Sequence, residues 1–123
     1  MTEALIQLRD RFDRVGILLS GLCAVHCLAT LVLVAALGLS GGALLDPAIH
    51  RVGLGLAIVV GAIAIGIGVS RHGRSEPLWI GIGGLALMAL ALAAGHGAIE
   101  AVATISGVAL VALAHWRNVR HLA

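Results

Sequence analysis

The sequence predicts an all-α integral membrane protein, a four-helix transmembrane bundle with both termini in the cytoplasm. Of its 123 residues, 60% are hydrophobic and only 11% are charged. A soluble domain of this size needs far more charge to cover its surface. Long stretches without formal charge alternate with short segments that hold most of the arginines. The length fits one small domain, so we expect a single membrane domain over residues 1–123.

Each predicted span is close to the roughly 20 apolar residues that cross a bilayer as a helix. The predicted spans are 15–40, 48–70, 77–95 and 98–116. Residues 1–14 are interpreted as a short amphipathic lead into the first helix. The apolar run behind this lead is too long for the core of a signal peptide, so no cleavage is expected.

Glycine, proline and capping residues separate the four spans. Glycine tolerates the left-handed conformation that often follows a helix. An aspartate followed by proline is typical of an N-cap with proline in the first turn. The predicted boundary residues are Gly41 and Gly42 after the first helix, Asp46 and Pro47 before the second, Gly73 after it, Ser75, Glu76 and Pro77 before the third, and Gly95, His96 and Gly97 between the third and fourth.

The second and third predicted helices are rich in small residues, and in the second these recur every four positions. One row consists of Gly53, Ala57 and Gly61, and another of Ala62 and Gly66. This spacing lets helix backbones approach each other closely in lipid. We therefore expect the second helix to pack tightly through these residues.

The arginines predict the orientation of the chain. Seven of them lie before the first span, between the second and third, or after the fourth, whereas only Arg51 lies on the other side. Positively charged loops stay in the cytoplasm, which places both termini there. Trp79 and Trp116 then lie at the cytoplasmic interface, where indole rings concentrate. The net charge of +2 and the lack of a basic stripe argue against a nucleic-acid partner.

The first span carries a stripe of polar and sulfur-containing side chains. At about 100° per residue, these side chains share one helix face about 120° wide. They are Ser20, Cys23, His26, Cys27 and Thr30. The opposite face holds Leu19, Leu22, Val25 and Leu28. Polar groups inside a bilayer normally turn toward the bundle interior, so we expect the stripe to face the other helices.

Cys23 and Cys27 are candidate ligands for a soft metal ion. They lie one turn apart, about 6 Å along the helix axis. Thiolate favours Hg(II), Cu(I) and Zn(II), and His26 adds an imidazole beside the pair. Counting from Val15 puts the thiols roughly 12–18 Å into the bilayer, near its middle. Two other interpretations stay open: inert small side chains, and a thiol oxidoreductase pair, although redox pairs more often have Cys-x2-Cys spacing.

Three further residues complete the candidate set. His50 and His115 each lie at a helix end that would form a gate, and both are candidate metal ligands. Glu100 would collect cations at the mouth of the bundle or cap its helix. The remaining histidines are interpreted as interfacial residues: His72, His96 and His121. A haem subunit is disfavoured because His26 has no obvious partner at its depth, and a purely structural subunit stays open.

The stretch from Ser20 to Leu28 resembles the MerC family of mercury-resistance membrane proteins, which carries Ser-x-x-Cys-x-x-His-Cys-Leu in its first transmembrane helix. Weaker matches extend the likeness over roughly residues 10–120; they lie at 13–20, 50–51, 71–72, 100, 104–107 and 114–118. The resemblance implies a multi-pass protein of the bacterial inner membrane that takes up mercuric ion. By position, it implies Cys23 and Cys27 as ligands, with His26 beside them.

We therefore expect uptake of a soft metal cation, mercuric ion above zinc or copper, through the Cys-x3-Cys site. The alternatives are a transporter or sensor of zinc or copper, or a membrane thiol-disulfide oxidoreductase. We expect no enzymatic activity and no permanently bound cofactor, since the metal ion is cargo. Expected partners are the metal ion, the lipid bilayer, a second copy in a homodimer and a cytosolic mercuric reductase. With two cysteines in all, the sequence has no second pair to pass the ion to that reductase.

Overall fold

The computed structural model describes residues 2–37, 46–95 and 97–121, and all of its regular structure is helical. The helices are α1 (Glu3–Leu37), α2 (Pro47–His72), α3 (Glu76–Ala94) and α4 (Ala98–Arg120). The described residues form no strand. Each helix contains a stretch that is long and apolar enough to cross a membrane. The predicted all-α, four-helix transmembrane architecture is therefore confirmed.

The predicted boundary chemistry is present around α2. The Asp46 carboxylate accepts a hydrogen bond of 2.9 Å from the backbone N–H of Ala48, and Pro47 occupies the first turn. At the other end Gly73 has φ 68°, and its N–H donates to the carbonyl oxygen of Val69. Only glycine adopts that conformation without strain, which explains why α2 ends there.

The other boundaries agree where they are described. Ser75 occupies the N-cap of α3, and Pro77 lies in its first turn. Gly95 follows α3 with φ 80°, and Gly97 precedes α4. The predicted breaks at Gly41, Gly42 and His96 fall outside the described residues.

Helix α1 runs through the predicted lead without a break. It begins at Glu3 and has 35 residues, because neither proline nor glycine interrupts its first three turns. At 1.5 Å per residue it is about 52 Å long, well beyond the roughly 30 Å hydrocarbon core. Part of α1 therefore extends past the hydrocarbon region.

Four helix ends with most of the arginines meet at one end of the bundle, which we call the basic end. Here Glu76, at the start of α3, forms a 2.8 Å ion pair with Arg117 near the end of α4. His72, the last residue of α2, is 2.9 Å from the Asn118 amide oxygen of α4. The opposite end, with the starts of α2 and α4, is called the far end. Neighbouring helices in sequence therefore run antiparallel.

The closest backbone approach joins α3 to α4 rather than involving the predicted glycine rows of α2. A Cβ atom added at Gly84 would lie 2.6 Å from the carbonyl oxygen of Gly107, and one at Gly107 would lie 2.7 Å from that of Gly84. By contrast, a Cβ at Gly61 or Gly66 would meet nothing within 4 Å among the surrounding atoms. The expectation of tight packing at those two positions is wrong, because small-residue spacing does not specify which helix faces it.

An apolar cluster fills the middle of the bundle. Met88, Val108 and Val111 are its buried members, and Cys23 and Leu54 pack against it. The outward faces are also apolar, with Leu22, Val25 and Val102 each at least 60% exposed. In a membrane these faces contact lipid, so burial inside the bundle marks the side chains that face other helices.

We predict that Gly107→Ala destabilises the bundle by about 1–3 kcal/mol, because the new methyl group would overlap the backbone of α3. Gly83→Ala is the matched control, since a Cβ there meets nothing within 4 Å. The free energy of unfolding in detergent micelles is the measurement. Equal destabilisation by the two substitutions would contradict the close approach of α3 and α4.

Candidate metal centre

The stripe on α1 faces the other helices, as predicted. Cys27 is only 5% exposed, and Ser20 and Thr30 are also buried. On the opposite face Leu22 and Val25 are 60% and 64% exposed. The polarity of its own side chains explains how α1 is rotated, since turning the stripe outward would put polar groups against lipid.

The two hydroxyl groups of the stripe already have partners within α1. Ser20 Oγ donates to the carbonyl oxygen of Gly16 at 2.9 Å, and Thr30 Oγ1 donates to that of His26 at 2.8 Å. These bonds satisfy the hydroxyl hydrogens in an apolar environment. The donors with strong affinity for metals are therefore the two thiols and the imidazole.

Helix α2 brings a second imidazole to the stripe. His50 Nε2 is 3.5 Å from Cys27 Sγ, and the rings of His26 and His50 have centroids 5.4 Å apart. One ligand atom from each of His26, Cys27 and His50 lies within 4.8 Å of the other two. We call these three residues the outer group. One thiol and two imidazoles match ligand sets that bind zinc and softer ions.

Glu100 supports the outer group from α4. Its carboxylate lies 3.5 Å from His50 Nδ1, and its side chain is buried. A histidine that binds a metal through one ring nitrogen usually donates the other N–H to a carboxylate or carbonyl. Glu100 therefore lies on the Nδ1 side of the His50 ring, and Nε2 on the other side faces Cys27.

Cys23 lies one turn from the outer group toward the middle of the bundle. It is half-buried, and a Cβ added at Gly53 would be 3.8 Å from its sulfur. The side chain packs against the central apolar cluster. Both cysteines are free thiols. The imidazole 3.5 Å from the sulfur of Cys27 comes from another helix, which the spacing of the two cysteines does not reveal.

The outer group lies beside the first turns of α2 and α4, toward the far end of the bundle. His50 is the fourth residue of α2, and Glu100 is the third residue of α4. Cys27 is level with these first turns.

The structure places His115 away from the outer group. It lies toward the basic end, where its Nδ1 donates a 2.6 Å hydrogen bond to Asp13 Oδ1. Asn118 donates to Asp13 Oδ2 at 3.0 Å and to the carbonyl oxygen of Ala64 at 2.9 Å. We call Asp13, His115 and Asn118 the inner cluster; all three are 0% exposed. Asp13 and Cys27 are fourteen residues apart on α1, about 21 Å along its axis.

An arginine and a histidine surround the inner cluster. Arg9, which is 3% exposed, has its Nε 3.8 Å from Asp13 Oδ2 and also pairs with Asp10. His72 Nε2 is 2.9 Å from Asn118 Oδ1. Sequence reasoning missed Asp13 and Asn118 as site residues. The signal in the sequence was an acidic residue just before the apolar run of α1. The antiparallel helix α4 carries a histidine and an asparagine in its last turns, at the same end of the bundle.

Two glycines make room for the inner cluster. A Cβ at Gly16 would overlap the imidazole of His115, and one at Gly68 would overlap the amide of Asn118. These positions on α1 and α2 therefore let two large polar side chains of α4 lie fully inside the bundle. The hydrogen bonds of the inner cluster, together with the space that the two glycines leave, fix α4 against α1 and α2.

A groove of about 530 Å³ runs between α1 and α2 beside the outer group. Its walls include Cys23 and His26 from α1 and Gly53 from α2, and the other lining side chains are apolar. The groove gives one flank of the stripe an opening to the outside of the bundle. Cys27 lies behind it and is almost fully covered.

These features define a multi-pass membrane protein that gathers thiol and imidazole donors between its helices. A family model described as MerC mercury resistance protein matches residues 13–120, and the chain belongs to that family. The matched range includes the whole outer group and the whole inner cluster. No curated protein and no solved structure matches the chain.

We predict that Asn118→Ala destabilises the protein by about 1–3 kcal/mol, since it removes two buried hydrogen bonds, one to the Asp13 carboxylate and one to the Ala64 carbonyl. Ser70→Ala is the matched control. That exposed serine at the same end donates only to the Gly66 carbonyl of its own helix, so its loss is expected to cost less than about 0.5 kcal/mol. Unfolding in detergent micelles compares the two, and similar effects would contradict a tightly held inner cluster.

Proposed function

We propose that this protein carries mercuric ion across the bacterial inner membrane into the cell, with His26, Cys27 and His50 as its first binding group. The observation that carries the proposal is the meeting of three ligand atoms, from two helices, within 4.8 Å of one another. Membership of the MerC mercury resistance protein family supports mercury as the cargo.

The donors explain how a doubly charged ion enters an apolar bundle. Transfer of a bare cation from water into a low-dielectric interior is very costly. A thiolate compensates the charge directly, and two imidazoles replace bound water. The thiol must lose its proton when the metal binds, so uptake of the ion at this group releases protons.

The donor set also favours a soft cation over the abundant hard ones. Sulfur and imidazole suit Hg(II), Zn(II) and Cu(I), whereas Mg(II) and Ca(II) require an oxygen-rich site. Cys23, one turn further along α1, gives a second sulfur toward which the ion moves. Of the soft and borderline ions, Hg(II) gains most from thiolate ligands.

The arginine distribution supports the direction of uptake. With the basic end in the cytoplasm, the outer group lies near the periplasmic surface, where an incoming ion arrives. Glu100, buried beside His50, adds negative charge at that surface. The ion would then travel from the outer group along α1 toward the basic end.

We predict that a reporter fused after Ala123 is cytoplasmic. Green fluorescent protein at that position is expected to fluoresce, and alkaline phosphatase is expected to be inactive, because each folds on only one side of the inner membrane. A truncation after Gly73 with the same reporters is the control and is expected to give the same result, since it too ends at the basic end. An active phosphatase in both fusions would reverse the proposed direction.

We predict that Cys27→Ser and His50→Gln each lower Hg(II) binding at least about tenfold, as loss of a metal-site group commonly does. Uptake of radioactive Hg(II) by cells is expected to fall with binding. His121→Gln is the control, because that histidine lies at the opposite end of the bundle, beside Glu76. Competition with a soluble thiol measures the affinity. Unchanged affinity and uptake in both site variants would remove the proposal.

A further inference from the structure

The inner cluster contains one ring nitrogen, Nε2 of His115, that takes part in none of the hydrogen bonds around it. His115 is fully buried, its Nδ1 donates to Asp13, and its Nε2 has no hydrogen-bond partner among the described residues. Buried polar atoms are normally paired, so an unpaired ring nitrogen deep in a membrane bundle indicates a function. Fixing α4 in place requires only the Nδ1 side of the ring and Asn118.

A small cavity lies beside the His115 side chain. It has a volume of about 10 Å³, and its walls include His115, Gly16, Ser20 and Cys23. A space of about 10–15 Å³ holds one water molecule, and a metal ion is no larger. Cys23 and His115 are the two strong metal donors on the wall, because Ser20 already donates its hydroxyl hydrogen to Gly16.

Helix direction brings these two donors toward each other. Side chains lean toward the N-terminus of their own helix. Helices α1 and α4 are antiparallel, so Cys23 leans toward the basic end and His115 leans toward the far end. Both side chains therefore lean into the space between them. Gly16, which also lines the cavity, makes room for the His115 ring, since a Cβ there would overlap the imidazole.

The inner cluster repeats the arrangement seen at the outer group. In the outer group, Glu100 lies against His50 Nδ1, and Nε2 of the same ring faces Cys27. In the inner cluster, Asp13 accepts from His115 Nδ1, and the cavity beside that ring is shared with Cys23. A carboxylate that holds the far side of an imidazole is the usual support for a metal-binding histidine.

We propose that Cys23 and His115 form a second binding position for a soft divalent cation, with Asp13 as the residue that positions His115. The proposal rests on the proposed function only in taking the same cargo. The ion would bind at the outer group through Cys27, pass one turn along α1 to Cys23, and then bind between Cys23 and His115. One sulfur and one imidazole nitrogen suit a soft ion that accepts two ligands.

Nitrogen-15 NMR of histidine in the purified full chain tests this position directly, with Hg(II) alone as the probe. In Cys27→Ser only the Cys23 thiol remains, and one equivalent of Hg(II) is expected to shift the Nε2 resonance of His115. The resonance is assigned by its loss in Cys27→Ser/His115→Gln. In Cys23→Ser, Hg(II) is expected to shift the resonances of His26 and His50 and leave His115 unchanged. A His115 resonance that does not move in Cys27→Ser with Hg(II) bound would overturn the proposal.

Asp13→Asn tests the positioning role. In the Cys27→Ser background it is expected to weaken Hg(II) binding, measured against a competing thiol, by about 10- to 100-fold. In the Cys23→Ser background it is expected to leave the affinity of the outer group unchanged, which shows that the variant is folded. Equal affinity with and without Asp13 in the first background would reject the role. If Asp13→Asn weakens Hg(II) binding in both backgrounds, the NMR result decides, because the His115 shift is measured in Cys27→Ser, where the inner cluster is intact.

The two proposals fail separately. Cells that take up no Hg(II), together with a shifted His115 resonance, would reject transport and leave the second position intact. Normal uptake that depends on Cys27, together with an unmoved His115 resonance, would reject only the second position.

Discussion

Every polar side chain inside this bundle must find its partner within the protein, because lipid offers no hydrogen bonds. The inner cluster meets this requirement by joining Asp13 on α1 to His115 and Asn118 on α4, and Asn118 to a backbone carbonyl of α2. Removal of one partner would leave a charged or polar group unpaired at 0% exposure. This network sets the register of α1 against α4, and the positions of the two cysteines follow from that register.

The stripe on α1 gains its chemistry from what the register places opposite it. Cys27 contacts His50, and the Glu100 carboxylate lies on the other side of that ring. Cys23 shares a cavity with His115, which is hydrogen-bonded to Asp13. Each thiol is thus associated with an imidazole from another helix and with a buried carboxylate behind it. We propose that these two similar positions along one helix are successive binding positions for a cation.

Much of the fold could be predicted from the sequence, since its causes are local. Long uncharged stretches predict the helices, and Asp46, Pro47 and Gly73 set the ends of α2 where expected. The inward orientation of the stripe also followed from one helix alone. Its correct prediction required only helical periodicity and the cost of polar groups in lipid.

The rest depends on contacts between helices, which a single sequence does not specify. The small-residue rows of α2 suggested tight packing at Gly61 and Gly66, whereas the close approach occurs at Gly84 and Gly107. His50 was a candidate, but its contact with Cys27 required knowing the relative heights of α1 and α2. Asp13 was passed over as part of a polar lead, because its partner is more than a hundred residues away.

We propose that the first ligands of the cation come from two helices, sulfur from Cys27 and nitrogen from His26 and His50. X-ray absorption at the mercury edge, on the full chain with one equivalent of Hg(II), measures the ligand atoms directly. We expect sulfur together with imidazole nitrogen, and loss of nitrogen in a chain lacking His26, His50 and His115. A shell of two sulfurs without nitrogen in the unaltered protein would contradict it, because the ion would then be held by the two cysteines of α1 alone.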